Sequence, residues 1–110
     1  MIIGSFQTAD DGYAGQIRTL TLDAMIAIVP ARPSDAENAP AWRVLLVEAD
    51  TGTEIGAGWE RHSERAGSYI ALQIDDPALG APIRANLLRS GASEDDYHLL
   101  WSRPAPQAKG

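Results

Sequence analysis

Histidine, hydroxyl and carboxylate side chains are the groups from which a small protein builds catalysis or metal binding, and in this chain they are scattered. The two histidines, His62 and His98, fall in separate segments. Their spacing would not aim them at one ion, whereas a metal site needs three or four convergent donors. Adjacent carboxylates occur three times, as Asp10-Asp11, Asp75-Asp76 and Asp95-Asp96. Each pair sits among turn residues, where such side chains cap backbone N–H groups. The regular oxygen spacing of a calcium-binding loop is missing. Ser63 and Ser102 have a histidine or arginine next to them but no nucleophile elbow around them. Gly56-Ala57-Gly58 lacks the third glycine and the following helix of a dinucleotide fingerprint. The pattern predicts no enzymatic activity, no metal and no cofactor.

The arginines are more informative. Arg18 and Arg84 interrupt apolar alternation, and Arg103 closes it. Gathered on one curved face beside Trp42, Tyr69 and Tyr97, they would make a candidate binding surface for nucleic acid or an acidic partner. Dispersed, each would keep its head in water or pair with a local carboxylate, which is the simpler expectation. Charge ranks the partners. There are 15 Asp and Glu against nine Lys and Arg, a formal net charge of −6, and Lys109 is the one lysine. A binder of phosphate backbone concentrates cations on one face. The acidity keeps the protein soluble on the simpler reading and attracts a basic partner surface on the functional one. The expected function is a non-enzymatic protein-binding or regulatory module. The alternative is a small β-barrel that binds single-stranded nucleic acid.

Length and composition bound the rest. At 110 residues, with 45% hydrophobic residues, the chain is expected to fold as one domain over residues 1–103, with 104–110 as a fraying tail. The absence of cysteine removes disulfide scaffolds, thiol nucleophiles and thiolate zinc sites. No apolar run approaches the roughly 18 residues of a membrane span. The start, MIIGSFQTADDG, lacks the basic and apolar regions of a signal peptide, so a cytoplasmic protein without membrane contact is expected.

The elements that must position these side chains read as strands. Tyr69 to Leu88 forms a hairpin: Ile70, Leu72 and Ile74 share one face, Asp75-Asp76-Pro77 stops the strand, and Ile83, Ala85 and Leu87 share a face on the return. Similar alternation marks Ile2–Phe6, Tyr13–Leu22, Ala24–Val29, Trp42–Ala49, Glu54–Ser63 and Tyr97–Ser102. In Glu54–Ser63, Ile55, Ala57 and Trp59 are expected inward, with Gly56 and Gly58 outward and free to bend. Pro30 to Pro40, with three prolines among polar residues, reads as a loop. The pattern predicts an all-β fold: one small antiparallel barrel or two-sheet sandwich of seven to nine short strands.

The expected core is Ile17, Leu20, Leu22, Ile28, Val44, Leu46, Trp59, Leu72, Ile74, Leu87 and Trp101. Ile17 and Leu20 lie on opposite faces of a flat strand, which calls for a bulge near Arg18 or burial on both faces. The terminal strands carry neither lysines nor internal prolines to protect an edge. They are expected to pair with each other and close the sheet, leaving a monomer or weak homodimer.

The blocks G-S-F, G-Y-A-G-Q-I-R-T-L-T-L, W-R-V, E-I-G-A-G-W, Y-I-A-L-Q-I-D-D-P, A-P-I-R-A-N-L and L-L-W-S-R-P follow one another from about Ile3 to Pro104. In this order they resemble the bacterial family catalogued as domain of unknown function 736. That resemblance implies a similar size and a setting on plasmids and integrative elements. On it, the binding module becomes an accessory factor of a mobile genetic element, with blunting of host defence as one such role. No activity, and so no catalytic residue, comes with the resemblance. The chain departs from the family pattern at Glu64-Arg65-Ala66, at Arg84 and in its scarcity of lysine.

Overall fold

The period-two runs do form strands, and the strands close on themselves. The computed structural model of the protein describes residues 1–32, 37–48, 51–65, 67–77, 79–91 and 95–102. Eight antiparallel strands follow in chain order: β1 (Ile2–Ala9), β2 (Gly12–Arg18), β3 (Asp23–Pro30), β4 (Trp42–Glu48), β5 (Thr51–Ser63), β6 (Gly67–Ile74), β7 (Ile83–Arg89) and β8 (Asp96–Trp101). Each pairs with its sequence neighbour, and β8 returns to β1, with Ser5 opposite His98 and Gln7 opposite Asp96. The fold is therefore a closed barrel, not a sandwich. Closure leaves no strand edge to pair with another chain. The chain ends clasp each other as well. The Trp101 N–H donates to the Met1 carbonyl at 2.8 Å, and the Met1 amine donates to the Trp101 carbonyl at 3.1 Å.

An eight-stranded barrel is just wide enough for side chains to fill it. Here Ile3, Phe6, Ile17, Ile26, Ile28, Val44, Ile70, Leu72, Ile74, Ala85, Leu87 and Leu99 are buried inside, with no buried polar residue among those described. Each fully buried aliphatic or aromatic side chain contributes about 1.5–3 kcal/mol through transfer from water. The residues alternate as expected: Ile70, Leu72 and Ile74 point in from β6, and Ala85 and Leu87 from β7. In β1 a register shift between Ile2 and Gly4 turns both Ile3 and Phe6 inward, although they are three residues apart.

Two expectations fail. Leu20 is wholly exposed, at 101%. β2 ends at Arg18, and a tight turn follows, closed by Thr19 N–H to Leu22 O at 2.7 Å and Leu22 N–H to Thr19 Oγ1 at 3.1 Å. Leu20 lies in that turn and not in the strand. The β2 register runs unbroken to the Arg18–Asp23 pair, so no bulge near Arg18 is present.

Trp59 faces outward. Val44 opposes Gly56 while Leu45 opposes Glu54, which makes Ile55 an extra residue and resets the alternation of β5. Gly56 and Gly58 then face inward, where there is no room for more. A Cβ on Gly56 would meet the Gln73 carbonyl, and one on Gly58 would come within 2.7 Å of Leu72 and 2.9 Å of Ile70. Leu22, Leu46 and Trp101 pack half-buried against the core.

Candidate functional site

An up-and-down barrel sorts its connections between two ends. The β1–β2, β3–β4, β5–β6 and β7–β8 connections share one end; the β2–β3, β4–β5 and β6–β7 connections and the described chain ends share the other. The two ends differ in chemistry.

The first end opens on a cavity of about 440 Å³ whose lining includes Tyr13, Trp42, Glu60, Leu87, Arg89 and Tyr97. Tyr13 is near the start of β2, Trp42 opens β4, and Tyr97 is near the start of β8, so distant positions converge on this mouth. The Tyr13 ring lies 5.5 Å from Trp42, tilted by 53°, and 4.8 Å from Tyr97, edge to face. Such contacts add about 0.5–1.5 kcal/mol to simple burial. The Arg89 guanidinium carbon sits 6.0 Å from the centre of the Tyr97 ring, within the range of a cation–π interaction. Burial first, then the charge and hydrogen bond of Tyr97 and the charge of Glu60, push the Tyr13 hydroxyl from 10.0 up to about 12; Arg89 pulls the other way. The phenol thus stays protonated throughout the neutral range. The Trp42 indole N–H is buried and has no hydrogen-bond partner among the described residues.

The second end carries Asp23, Asp75 and Asp76 in or beside its connections, around a mainly apolar depression. A cavity of about 560 Å³ is lined by Ile3, Leu20, Pro82, Ile83, Arg84 and Trp101, among others. Met1 and Ile2 are exposed beside it, at 73% and 53%. The barrel interior below is filled, so this is a surface depression and not the entrance to a deep pocket.

A third feature lies on the outer wall of β5–β8. Trp59, Ala71, Asn86 and Leu100 face one another in a row across the four strands. Arg61, Gln73, Arg84 and Ser102 flank them in a groove of about 500 Å³. The Trp59 indole N–H donates to the Asn38 carbonyl at 2.9 Å, which fixes the ring against the β3–β4 connection.

The residues expected to form one surface are thus divided. Trp42 and Tyr97 line the aromatic mouth, with Tyr69 at its edge. Arg84 lies on the outer wall at β7, where it also reaches the apolar end. Arg18 is exposed on β2 beside Ser5 and Gln16, with β8 and β1 between it and Arg84. Arg103 and the 104–110 tail lie outside the described residues, as do positions 33–36 of the Pro30–Pro40 loop. Arg43, on β4, pairs with Glu54 at 3.0 Å on the surface. His62 and His98 lie on different, non-adjacent strands, and no group of three potential metal ligands occurs among the described residues. Sequence reading passed over Tyr13, Glu60 and Arg89 at the mouth, and Trp59 and Arg61 on the wall. The signal for the first set was present: each lies close to a connection at that same end.

Against known proteins, a family model described as a protein of unknown function (DUF736) matches residues 2–104. The chain belongs to the DUF736 family. The match spans nearly all of the sequence, so the barrel is the fold of a DUF736 member. No curated protein and no solved structure matches the chain.

Proposed function

We propose that this DUF736 protein is a non-enzymatic binding module that docks a partner protein against its apolar barrel end. The observation that carries the reading is Leu20, wholly exposed beside a depression lined by Ile3, Pro82, Ile83 and Trp101. A leucine in water adds nothing to folding, yet buried against a partner it would contribute about 1.5–3 kcal/mol. Grouped exposed apolar side chains mark interaction sites, whereas scattered ones do not. The genomic setting that the family resemblance implies makes an accessory factor of a mobile element the role we carry forward, with interference in host defence as its sharpest form.

Leu20→Asp tests this directly. Leu20 is outside the core, so the variant should keep the wild-type circular dichroism and unfolding midpoint. Proteins captured by the wild type from nuclease-treated host extract should be lost from the variant. Retention of the same proteins by a folded Leu20→Asp protein would refute docking at this end.

A second reading rests on the outer groove. Trp59 offers a fixed aromatic face between Arg61 and Arg84, and no carboxylate lines the groove among the described residues. Stacked aromatics and flanking cations are how single-stranded nucleic acid is held without sequence preference. Binding of a labelled oligonucleotide that falls with salt and is lost in Arg61→Ala/Arg84→Ala would favour this reading over protein docking.

A further inference from the structure

The aromatic mouth has a chemistry of its own, at the opposite end from Leu20. Three rings, Tyr13, Trp42 and Tyr97, meet there in contact, and Glu60 lines the same cavity. Ring faces carry negative potential, and a carboxylate beside them adds a full charge; together they favour a cation. Arg89 shows this internally, since its guanidinium already lies over Tyr97.

The surroundings carry the same sign. Asp10 and Asp11 stand in the β1–β2 turn, Glu37 in the β3–β4 connection, Glu64 in the β5–β6 turn and Asp95 in the β7–β8 connection, all exposed. With Glu60 they make six, against five arginines at this end, Arg32, Arg43, Arg61, Arg65 and Arg89.

We propose that this mouth is an organic-cation site that takes a guanidinium or ammonium group. The group would rest against the rings of Tyr13 and Trp42 with its charge toward Glu60. The net negative charge of the protein would draw in basic ligands over a distance and would repel polyanions. The same group could be offered by a basic protein segment or by a free small cation. The site does not depend on docking at the apolar end.

Titration of the isotopically labelled protein with three probes tests the assignment: arginine amide, choline, and a short arginine–serine peptide. The expected result is a set of resonance shifts centred on Tyr13, Trp42 and Tyr97, reversed by salt. Glu60→Gln, an exposed position that should not disturb folding, is expected to weaken binding about fivefold, the loss equivalent to one exposed charge pair. Peptide binding tighter than arginine amide assigns the site to a protein segment. Equal binding assigns it to a free cation. Leu20→Asp should leave all of these titrations unchanged. Shifts centred on Leu20 and Ile83, no shifts with any probe, or undiminished binding by Glu60→Gln would overturn the proposal.

Discussion

Tyr13 is the residue whose environment makes the clearest demand. Its proton is held in the folded state up to about pH 12, against 10.0 for an ordinary phenol. Between those values the unfolded chain has lost the proton while the folded barrel keeps it. Unfolding then releases a proton, so stability falls as pH rises through this window and is unaffected below it. Difference titration of the phenolate absorbance between the wild type and Tyr13→Phe should show one tyrosine ionising near pH 12, and Tyr13→Phe should flatten the stability profile between pH 10 and 12. A Tyr13 phenol that titrates near 10 would mean that the mouth is wetter than its geometry indicates. Gly58 is constrained in a different way. A methyl group there would press on Leu72 and Ile70. Gly58→Ala should cost about 1–3 kcal/mol in urea unfolding, the usual range for overpacking. Gly67→Ala meets no neighbour, and its cost would come from the positive φ of 71° alone.

At the scale of the element, β1 is the strand on which closure depends. It is bonded on both sides, to β2 and to β8. Ser5→Pro would remove an N–H from a paired position, costing about 0.5–1.5 kcal/mol for the lost ladder hydrogen bond, and would add a clash with a neighbouring strand. Against a domain stability of about 5–15 kcal/mol, that should lower the unfolding midpoint sharply and expose β8 to aggregation. A Ser5→Pro protein as stable as the wild type would place little weight on the β1–β8 seam. The strands themselves were legible in the sequence, because one filled interior imposes strict alternation: Ile70, Leu72 and Ile74 leave no other face to bury. Trp59 was not legible in the same way. The extra residue at Ile55 reverses everything after it, and its one local trace is the pair of glycines that the reversal turns inward. Leu20 misled because its apolar character fits a strand that had already ended. The mouth was hidden for another reason. Tyr13, Trp42 and Tyr97 become neighbours through the order of strands around the barrel, which no window of sequence contains.

The two ends of the molecule differ, with an aromatic mouth at one, an apolar depression at the other and a filled core between them. The net charge of −6 is spread over both ends: Asp10, Asp11, Glu37, Glu64 and Asp95 lie around the mouth, and Asp23, Asp75 and Asp76 lie in or beside the connections of the other end. Two copies meeting through their apolar depressions would also bring together the ends that carry Asp23, Asp75 and Asp76, so charge repulsion opposes that contact and favours a monomer. Sedimentation at micromolar concentration should show a monomer, with any dimer that forms lost in Leu20→Asp. A dimer unaffected by that change would point to a different face.

The clasp between Met1 and Trp101 also determines how the molecule bears load. Both residues sit at the same end of the antiparallel β1–β8 pair. A force applied through them pulls across the strands and reaches one hydrogen bond at a time, beginning with the clasp itself. Such a seam opens like a zipper, at far lower tension than one loaded along its strands. Tethered at these two points in an optical trap, the barrel should open at low force, from β1 and β8 inward. Tethered instead at Gln7 and Leu100, diagonally across the seam, it should resist, because all the bonds between β1 and β8 would then be sheared together.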